Sequence, residues 1–126
     1  MGWPGWQDYQ PGRTAAPAKP HKYRAQPTTV DGILFPSKHE AARYVELRAL
    51  EAAGAIQELQ RQVPFALETV DVHGLRVCIT RFVADFVYRE AGVVVVEDAK
   101  GYRGNPVWML KRRWFEAQYG IPIRQT

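Results

Sequence analysis

Residues 93–101 read VVVVEDAKG, four valines followed by two acids, an alanine, a lysine and a glycine. Four consecutive β-branched residues predict a strand that is covered on both faces. Successive side chains of a strand point to opposite faces, so Asp98 and Lys100 share one face and Glu97 lies on the other. A carboxylate and an ammonium that project together from the end of a buried strand are costly unless they are paired or used. We therefore expect a functional site at this strand end.

A second acid lies in the strand that precedes this one. Residues 75–89 are mostly apolar at both alternating sets of positions, which predicts another doubly covered strand, and Asp85 is the exception. A buried lone aspartate is costly unless it has a cation or hydrogen-bond donors, and an ion pair with a buried arginine or with Lys100 is the alternative. The tight turn at residues 90–92 makes the two strands antiparallel neighbours, so Asp85 and Asp98 are expected side by side. One face of the earlier strand is predicted to consist of Phe82, Ala84, Phe86 and Tyr88.

A helix that carries a third acid is predicted upstream. Ser37 and Glu40 have the spacing of a capping box, and the helix is expected to run to about Ala53, before a glycine. Glu40 shares a helix face with Tyr44 and Leu47. Glu40 therefore has two interpretations, as a cap of the helix or as a carboxylate aimed at the interior, and the spacing alone favours the cap.

Downstream, a second helix and a last strand complete the pattern. Asn105 is expected to cap the helix, and Pro106 takes its favoured first position. The buried stripe of this helix is predicted to be Val107, Leu110, Trp114 and Ala117. A strand–helix–strand crossover predicts that the last strand, at residues 121–124, is parallel to the valine strand. With a hairpin at residues 28–35 and a first strand at residues 62–68, the expected fold class is α/β. Its order is helix, three antiparallel strands, helix and strand, with a mixed central sheet flanked by helices.

Composition limits the class of protein. The 126 residues suffice for one domain, expected at residues 28–126, and they carry a net charge of +4. The single Cys78 excludes an intramolecular disulfide and a thiolate metal cluster, and it is typical of a reducing compartment. No apolar run reaches the roughly 18 residues that a membrane span needs, and the N-terminus has no apolar signal core. We therefore expect a cytoplasmic protein that makes no membrane contact.

Charge is distributed unevenly along the chain. Basic residues exceed acids by three in residues 1–29 and by five in residues 100–126, whereas acids exceed basic residues by four in residues 30–99. An acidic middle between basic ends suits a protein that holds a cation while it touches phosphates. Residues 1–27 are rich in Pro, Gly and Gln, which predicts a disordered or loosely packed arm. The aromatic and basic residues of this arm are of the kinds that contact nucleic acid, and a solvated tail is the alternative.

The three acids and Lys100 together could form a metal-dependent catalytic site. Clustered carboxylates repel one another unless a cation neutralises them. Oxygen ligands without thiolates favour Mg²⁺ or Mn²⁺ over Zn²⁺. Such an ion activates water and stabilises charge on a phosphate, and Lys100 beside it can position or deprotonate the water. The pattern indicates metal-assisted hydrolysis of a phosphodiester.

The order of these residues resembles the PD-(D/E)XK nuclease superfamily. The wider pattern, over residues 22–124, is similar to a small phage-encoded endonuclease family of the restriction-endonuclease-like and Holliday-junction-resolvase-like type. The segments that carry the resemblance are Lys22-Tyr23, Val30-Asp31-Gly32-Ile33, Phe35-Pro36-Ser37-Lys38-His39-Glu40-Ala41, Gly54-Ala55-Ile56, Gln62, Ala84-Asp85-Phe86 and Glu97-Asp98-Ala99-Lys100-Gly101. Ala84 stands where the superfamily name places proline. Glu97 would exchange roles with Asp98 if a bulge shifted the register, and strand alternation favours Asp98.

The resemblance implies a restriction-endonuclease-like fold, with Glu40, Asp85 and Asp98 as metal ligands and Lys100 as the catalytic lysine. It implies a Mg²⁺- or Mn²⁺-dependent endonuclease that acts on branched or otherwise structured DNA in phage recombination or replication, in the cytoplasm of a bacterial host. Resolvases of this superfamily work as homodimers, because two strands need two sites. The candidate phosphate contacts are Lys38, Arg103, Lys111, Arg112 and Arg113, and a solvated basic face is the alternative for the last three.

Two other functions fit the same residues. One is a nucleic-acid-binding module that keeps the fold without cleavage. The other is a structural protein whose acids form internal ion pairs, which predicts that Asp85→Asn destabilises the fold. A cation site predicts the reverse for the cation-free protein, because the substitution removes a repelling charge.

Overall fold

The computed structural model describes residues 26–99 and 105–126. The predicted arm at residues 1–27 therefore lies almost wholly outside the described residues, as do Lys100 and Arg103. The elements are β1 (Thr28–Val30), β2 (Ile33–Phe35), α1 (Lys38–Ala52), β3 (Gln57–Val70), β4 (Arg76–Glu90), β5 (Val93–Asp98), α2 (Pro106–Tyr119) and β6 (Ile123–Gln125). The predicted α/β order of one helix, three strands, a second helix and a last strand is confirmed, and the β1–β2 hairpin precedes it. Neither described helix is long and apolar enough to cross a membrane.

The main sheet has four strands in the order β3-β4-β5-β6. β4 is antiparallel to both β3 and β5, and β6 is parallel to β5, so the predicted mixed sheet and its crossover are confirmed. The last described pair between β4 and β5 is Phe86 with Glu97. Asp85 and Asp98 each lie one residue beyond that pair, at adjacent positions on the two inner strands, as the sequence predicts.

The two helices cover opposite faces of the sheet. In β5, Val94 and Val96 pack in the cluster that contains Phe115 of α2, whereas Val95 packs in the cluster that contains Leu47 of α1. Neighbouring residues of a strand point to opposite faces, so the α1 core and the α2 core lie on different sides of β5. Both faces of the strand are covered from Val94 to Val96, as four consecutive valines predict, whereas Val93 at the start of the strand is 63% exposed.

Local capping sets where each helix begins. The Ser37 hydroxyl oxygen accepts a hydrogen bond from the backbone N–H of Glu40 at 3.2 Å, and α1 starts one residue after that serine. The Asn105 side chain accepts hydrogen bonds from the backbone N–H groups of Val107 and Trp108, at 3.0 and 3.3 Å. These bonds satisfy donors that a helix start leaves open, and the predicted caps of both helices are confirmed.

The buried stripe predicted for α2 is wrong at three of its four positions, and only Trp114 packs, half-buried, against the core. Val107 and Leu110 are 59% and 60% exposed, Ala117 is also exposed, and Phe115 is the buried residue of the helix. The rotation of α2 is set by polar ends of large side chains that reach carbonyl oxygens of the edge strand β3. They are the Trp114 indole N–H to Glu68 at 3.1 Å, the Gln118 amide to Ala66 at 3.1 Å and the Tyr119 hydroxyl to Ala66 at 2.8 Å.

The prediction that four alternating residues of β4 share one face of the sheet is also wrong, because they belong to two different cores. Phe86 and Tyr88 belong to the α1 core, as alternation requires, but Phe82 and Ala84 belong to the α2 core. The alternation is therefore interrupted at Asp85, between the two pairs. On the neighbouring strand the interruption coincides with Gln62, whose φ of 51° lies in the left-handed region. The long, twisted β3–β4 ribbon thus changes the side that it presents to each helix at the position of the predicted site.

Candidate carboxylate site

Glu40 lies in the first turn of α1 and is only 1% exposed. Its backbone N–H takes part in the cap, while its carboxylate oxygen Oε1 accepts a hydrogen bond from Nε2 of Gln62 at 3.1 Å. Tyr44 and Leu47, which follow on the same helix face, are buried as predicted. The two interpretations of Glu40 are therefore compatible, because the backbone caps the helix and the side chain points into the protein.

Asp85 shares that same amide group. Its Oδ1 accepts a hydrogen bond from Nε2 of Gln62 at 3.1 Å, and its Oδ2 accepts one from the backbone N–H of Ala99 at 2.9 Å. One nitrogen atom thus joins carboxylates from α1 and β4, and the two oxygens that it contacts are at most twice that distance apart. Asp85 is 2% exposed, and within residues 26–99 and 105–126 it has no ion pair with a basic side chain. Lys100, its other predicted partner, lies outside the described residues.

Asp98 ends β5 and is 2% exposed. Its Oδ2 accepts a hydrogen bond from the indole N–H of Trp108 in the first turn of α2. Its backbone oxygen accepts one from the N–H of Thr126 at 3.1 Å, and the Thr126 oxygen contacts Nε2 of His39 at 2.7 Å. The carboxyl ends of β5 and β6 therefore meet the first turns of both helices at one place, beside Asp85.

Glu97 has a different environment from Asp98. Its carboxylate is fully buried and accepts two hydrogen bonds from the Arg43 guanidinium, at 2.8 and 2.6 Å, and one from the Tyr88 hydroxyl. The guanidinium of Arg124 donates to the same hydroxyl oxygen at 3.0 Å. Glu97 therefore forms an ion pair on the α1 face of the sheet, and Asp98, on the neighbouring position, points toward α2.

The Glu97 network changes two proton affinities. Burial and the hydrogen bond to Glu97 raise the pKa of Tyr88 from 10.0 to about 12. The hydrogen bonds to the carboxylate raise the pKa of Arg43 above its ordinary value. Both shifts favour the protonated forms, so Tyr88 is a neutral donor and Arg43 a cation throughout the physiological range.

A loss of stability at alkaline pH is expected from Tyr88. Between pH 10 and 12 the unfolded chain releases the Tyr88 proton while the folded protein retains it, so rising pH favours unfolding in that window. The difference in free energy of unfolding between the wild type and Tyr88→Phe should therefore shrink as the pH rises through the window. Urea denaturation of both proteins at a series of pH values measures this difference, and a constant difference would contradict the expectation.

The residues predicted to contact phosphates differ in their exposure and in their partners within the protein. Lys38 is exposed at the first position of α1, Arg113 is exposed on α2, and Lys111 and Arg112 are half-buried. Arg112 also has partners within α2, because its guanidinium lies 3.6 Å from Glu116 and 5.6 Å from the centre of the Trp108 ring. Arg103 lies outside the described residues.

The donor set suits a hard cation more than a soft one. The side-chain atoms that converge are carboxylate oxygens and a carboxamide, and oxygen ligands of this kind match Mg²⁺ or Mn²⁺. In the part of the chain that the structure describes, no group of three or more His, Cys, Asp or Glu side chains is close enough to hold a metal ion. Glu40 and Asp85 both accept hydrogen bonds from the Gln62 side-chain amide. Asp98 is linked to Asp85 less directly, because the backbone N–H of the next residue, Ala99, donates to Asp85.

Gln62 is the residue of this site whose role sequence reasoning missed. The sequence places it at the start of a predicted strand, where a polar side chain needs no special explanation. Its role depends on tertiary contacts, because Gln62 is an exposed residue with a positive φ whose amide reaches the carboxylates of Glu40 and Asp85.

The fold and the site define an α/β protein with buried carboxylates at the carboxyl end of an inner strand of a mixed sheet. The chain belongs to the family described as "Protein of unknown function (DUF1064)", whose model matches residues 20–124. No curated protein and no solved structure matches the chain.

Proposed function

We propose that this protein is a Mg²⁺-dependent endodeoxyribonuclease with a restriction-endonuclease-like core, of the PD-(D/E)XK type. The observation that carries the proposal is the single amide nitrogen of Gln62, which lies 3.1 Å from carboxylate oxygens of both Glu40 and Asp85. Both acids are nearly inaccessible to water, and both belong to the ligand set that the family resemblance implies. The other oxygen of Asp85 binds the backbone N–H that directly follows Asp98.

The contrast with Glu97 supports the assignment of these acids. A buried carboxylate that serves only the fold is best paired with a buried cation of the protein, as Glu97 is with Arg43. Asp85 instead binds two neutral donors, an amide and a backbone N–H, and no basic side chain within residues 26–99 and 105–126 compensates its negative charge. A carboxylate in that state attracts a cation from solution.

Glu40, Asp85 and Asp98 would hold the ion. When bound, Mg²⁺ would polarise an oxygen of the substrate phosphate and lower the pKa of a water molecule that it binds. Lys100 follows Asp98 by two residues, and its role would be to orient the attacking water, or take its proton, and to stabilise charge on the phosphate. Trp108 and the backbone N–H of Ala99 hold two of the carboxylates in place by hydrogen bonds.

DNA would approach over the helix starts. The first turns of α1 and α2 meet at the site, and the positive ends of helix dipoles favour phosphates there. Lys38 is exposed at the start of α1, and Lys111, Arg112, Arg113 and Arg103 are the further basic residues proposed to contact the backbone. Branched or otherwise structured DNA as the substrate, a homodimer as the assembly and the cytoplasm of a bacterial host as the location complete the proposal.

A cleavage assay tests this function. We expect the purified protein to nick supercoiled plasmid and to cut a four-way junction in Mg²⁺ or Mn²⁺, and to do neither in EDTA. Lys100→Ala should lose cleavage and retain DNA binding, while Arg89→Ala, a half-exposed residue paired with Glu58 at 2.8 Å, is the matched control that should cleave normally. DNA binding without cleavage under any of these ions would overturn the nuclease proposal and favour a non-catalytic binding module.

A further inference from the structure

We propose that Gln62 is a further residue of the cation site, with a different role in each state. In the cation-free protein its amide N–H groups hold Glu40 and Asp85 together, and in the loaded protein its carbonyl oxygen Oε1 turns to bind the ion. This inference rests on the proposed function, because it assumes that these carboxylates receive a dication.

The hydrogen bonds of Gln62 show how its amide meets the two acids. Nε2 lies 3.1 Å from Oε1 of Glu40 and 3.1 Å from Oδ1 of Asp85. An ionised carboxylate only accepts hydrogen bonds, so the NH₂ end of the amide must be the end that faces the two acids. One NH₂ group carries two hydrogens, and each acid therefore receives one of them. Gln62 occupies the space between two like charges and offers each a positive hydrogen.

The backbone of Gln62 is adapted to this position. Residues Arg61 and Val63 on either side keep their pairings with Phe86 and Ala84 of β4. Between them Gln62 has a φ of 51°, in the left-handed region that residues other than glycine rarely occupy within a strand. The departure is thus confined to one residue, and it is the residue whose side chain joins α1 to β4. Strain of this kind persists where surrounding contacts over-determine it.

A carboxamide is chemically suited to both states. Its nitrogen donates and its oxygen accepts, and a half-turn about the terminal torsion exchanges the two ends in nearly the same space. Carboxamide oxygens are ligands of hard cations. A lysine in this place would neutralise the acids permanently and compete with the ion, and an aliphatic side chain would serve neither state. The side chain of Gln62 can therefore release the carboxylates and add a ligand in the same movement.

Metal titration of two variants tests the inference. Mn²⁺ affinity is measured from the electron paramagnetic resonance signal of the free ion, and thermal unfolding is followed with and without Mn²⁺. Gln62→Met keeps the size of the side chain and removes both polar ends. We expect it to lower Tm in the absence of the ion and to weaken Mn²⁺ binding about 10-fold. Gln62→Glu places a third carboxylate at the site, so Tm without the ion should fall, Mn²⁺ binding should tighten about 10-fold and the rise in Tm on Mn²⁺ addition should increase.

A control variant and the direction in which Mn²⁺ affinity changes decide whether Gln62 is a ligand of the ion. Gln60→Met, at an exposed position of the same strand, should leave both Mn²⁺ affinity and Tm near the wild-type values. If Gln62 served only the cation-free fold, Gln62→Met would bind Mn²⁺ as tightly as the wild type or more tightly, because a competing donor would be gone. That result in a wild type that binds Mn²⁺ overturns the role of Gln62 and leaves the proposed function standing. A wild type that binds no Mn²⁺ overturns the proposed function itself.

Discussion

If the proposed function is right, Asp85→Asn and Asp98→Asn should each lower Mg²⁺-dependent DNA cleavage by a factor on the order of 10² to 10³, because each would remove a charge that holds the ion against the phosphate. Both residues are 2% exposed, so neither substitution changes a surface that DNA contacts directly. The measurement is the initial rate of plasmid nicking, together with DNA binding by gel retardation. We expect binding to persist while cleavage is lost.

A matched surface variant separates this effect from a general change in charge. Glu58→Gln also removes one carboxylate, but the Glu58 side chain is 65% exposed and is paired with Arg89. Its cleavage rate should remain within about twofold of the wild-type rate, as surface substitutions usually have small effects. Cleavage by Asp85→Asn or Asp98→Asn at the rate of the Glu58→Gln control would show that the carboxylate has no part in the reaction.

Thermal stability is a less direct test of Asp85 than the sequence suggested. Both oxygens of Asp85 accept hydrogen bonds, from Gln62 and from the backbone N–H of Ala99. An asparagine has one acceptor oxygen and would leave one of those donors facing its own NH₂ group. The gain from removing a repelling charge is therefore opposed by a lost hydrogen bond, and cleavage and ion binding are the better measurements.

Arg43→Met is expected to destabilise the protein by about 3–5 kcal/mol, because it leaves the charge of Glu97 buried without its partner. The Glu97 side chain is fully buried, and the Arg43 guanidinium lies 2.6 Å from it with 21% of the Arg43 side chain exposed. Urea denaturation at neutral pH measures the free energy of unfolding. The effect should appear as a lower midpoint with little change in slope.

Two comparisons make this expectation specific. Arg48→Met removes an arginine from the same helix, but Arg48 is 54% exposed and pairs with Glu51 near the surface, so its cost should stay below about 1 kcal/mol. The double variant Arg43→Met/Glu97→Leu removes both charges and should cost much less than the sum of the single variants. An Arg43→Met protein as stable as Arg48→Met would mean that the buried pair contributes nothing to the fold.

Much of the fold follows from local sequence signals. Three of the four valines of β5 pack in the cores of α1 and α2, and the caps at Ser37 and Asn105 start those helices where the spacing predicts. Signals of this kind act over a few residues, through hydrogen bonds to the chain's own backbone or through the period of the strand. They are therefore readable without knowledge of neighbours.

The features that sequence analysis missed depend on long-range contacts. The rotation of α2 is set by polar atoms of Trp114, Gln118 and Tyr119 that bind carbonyl oxygens of β3, and aliphatic periodicity carries no information about such bonds. The division of the β4 face at Asp85 and the contacts of the Gln62 amide with Glu40 and Asp85 arise where two strands and a helix meet. Asp85 and Asp98 could be selected from the sequence because burial of a charge demands an explanation, whereas the spacing of Glu40 favoured a cap and a neutral amide demands no explanation.

The hydrogen bonds that join Glu40, Asp85 and the end of β5 link separate segments of the chain. The bonds from Gln62 span 22 residues back to Glu40 and 23 residues forward to Asp85, and that of Ala99 spans 14. Loop closure on this scale must be completed before the charges are brought together, so the carboxylates converge late in folding. A peptide that carries only the Asp-x-Lys segment would keep that motif but lack Glu40 and Asp85, so under the proposed function we expect it to have no affinity for Mg²⁺.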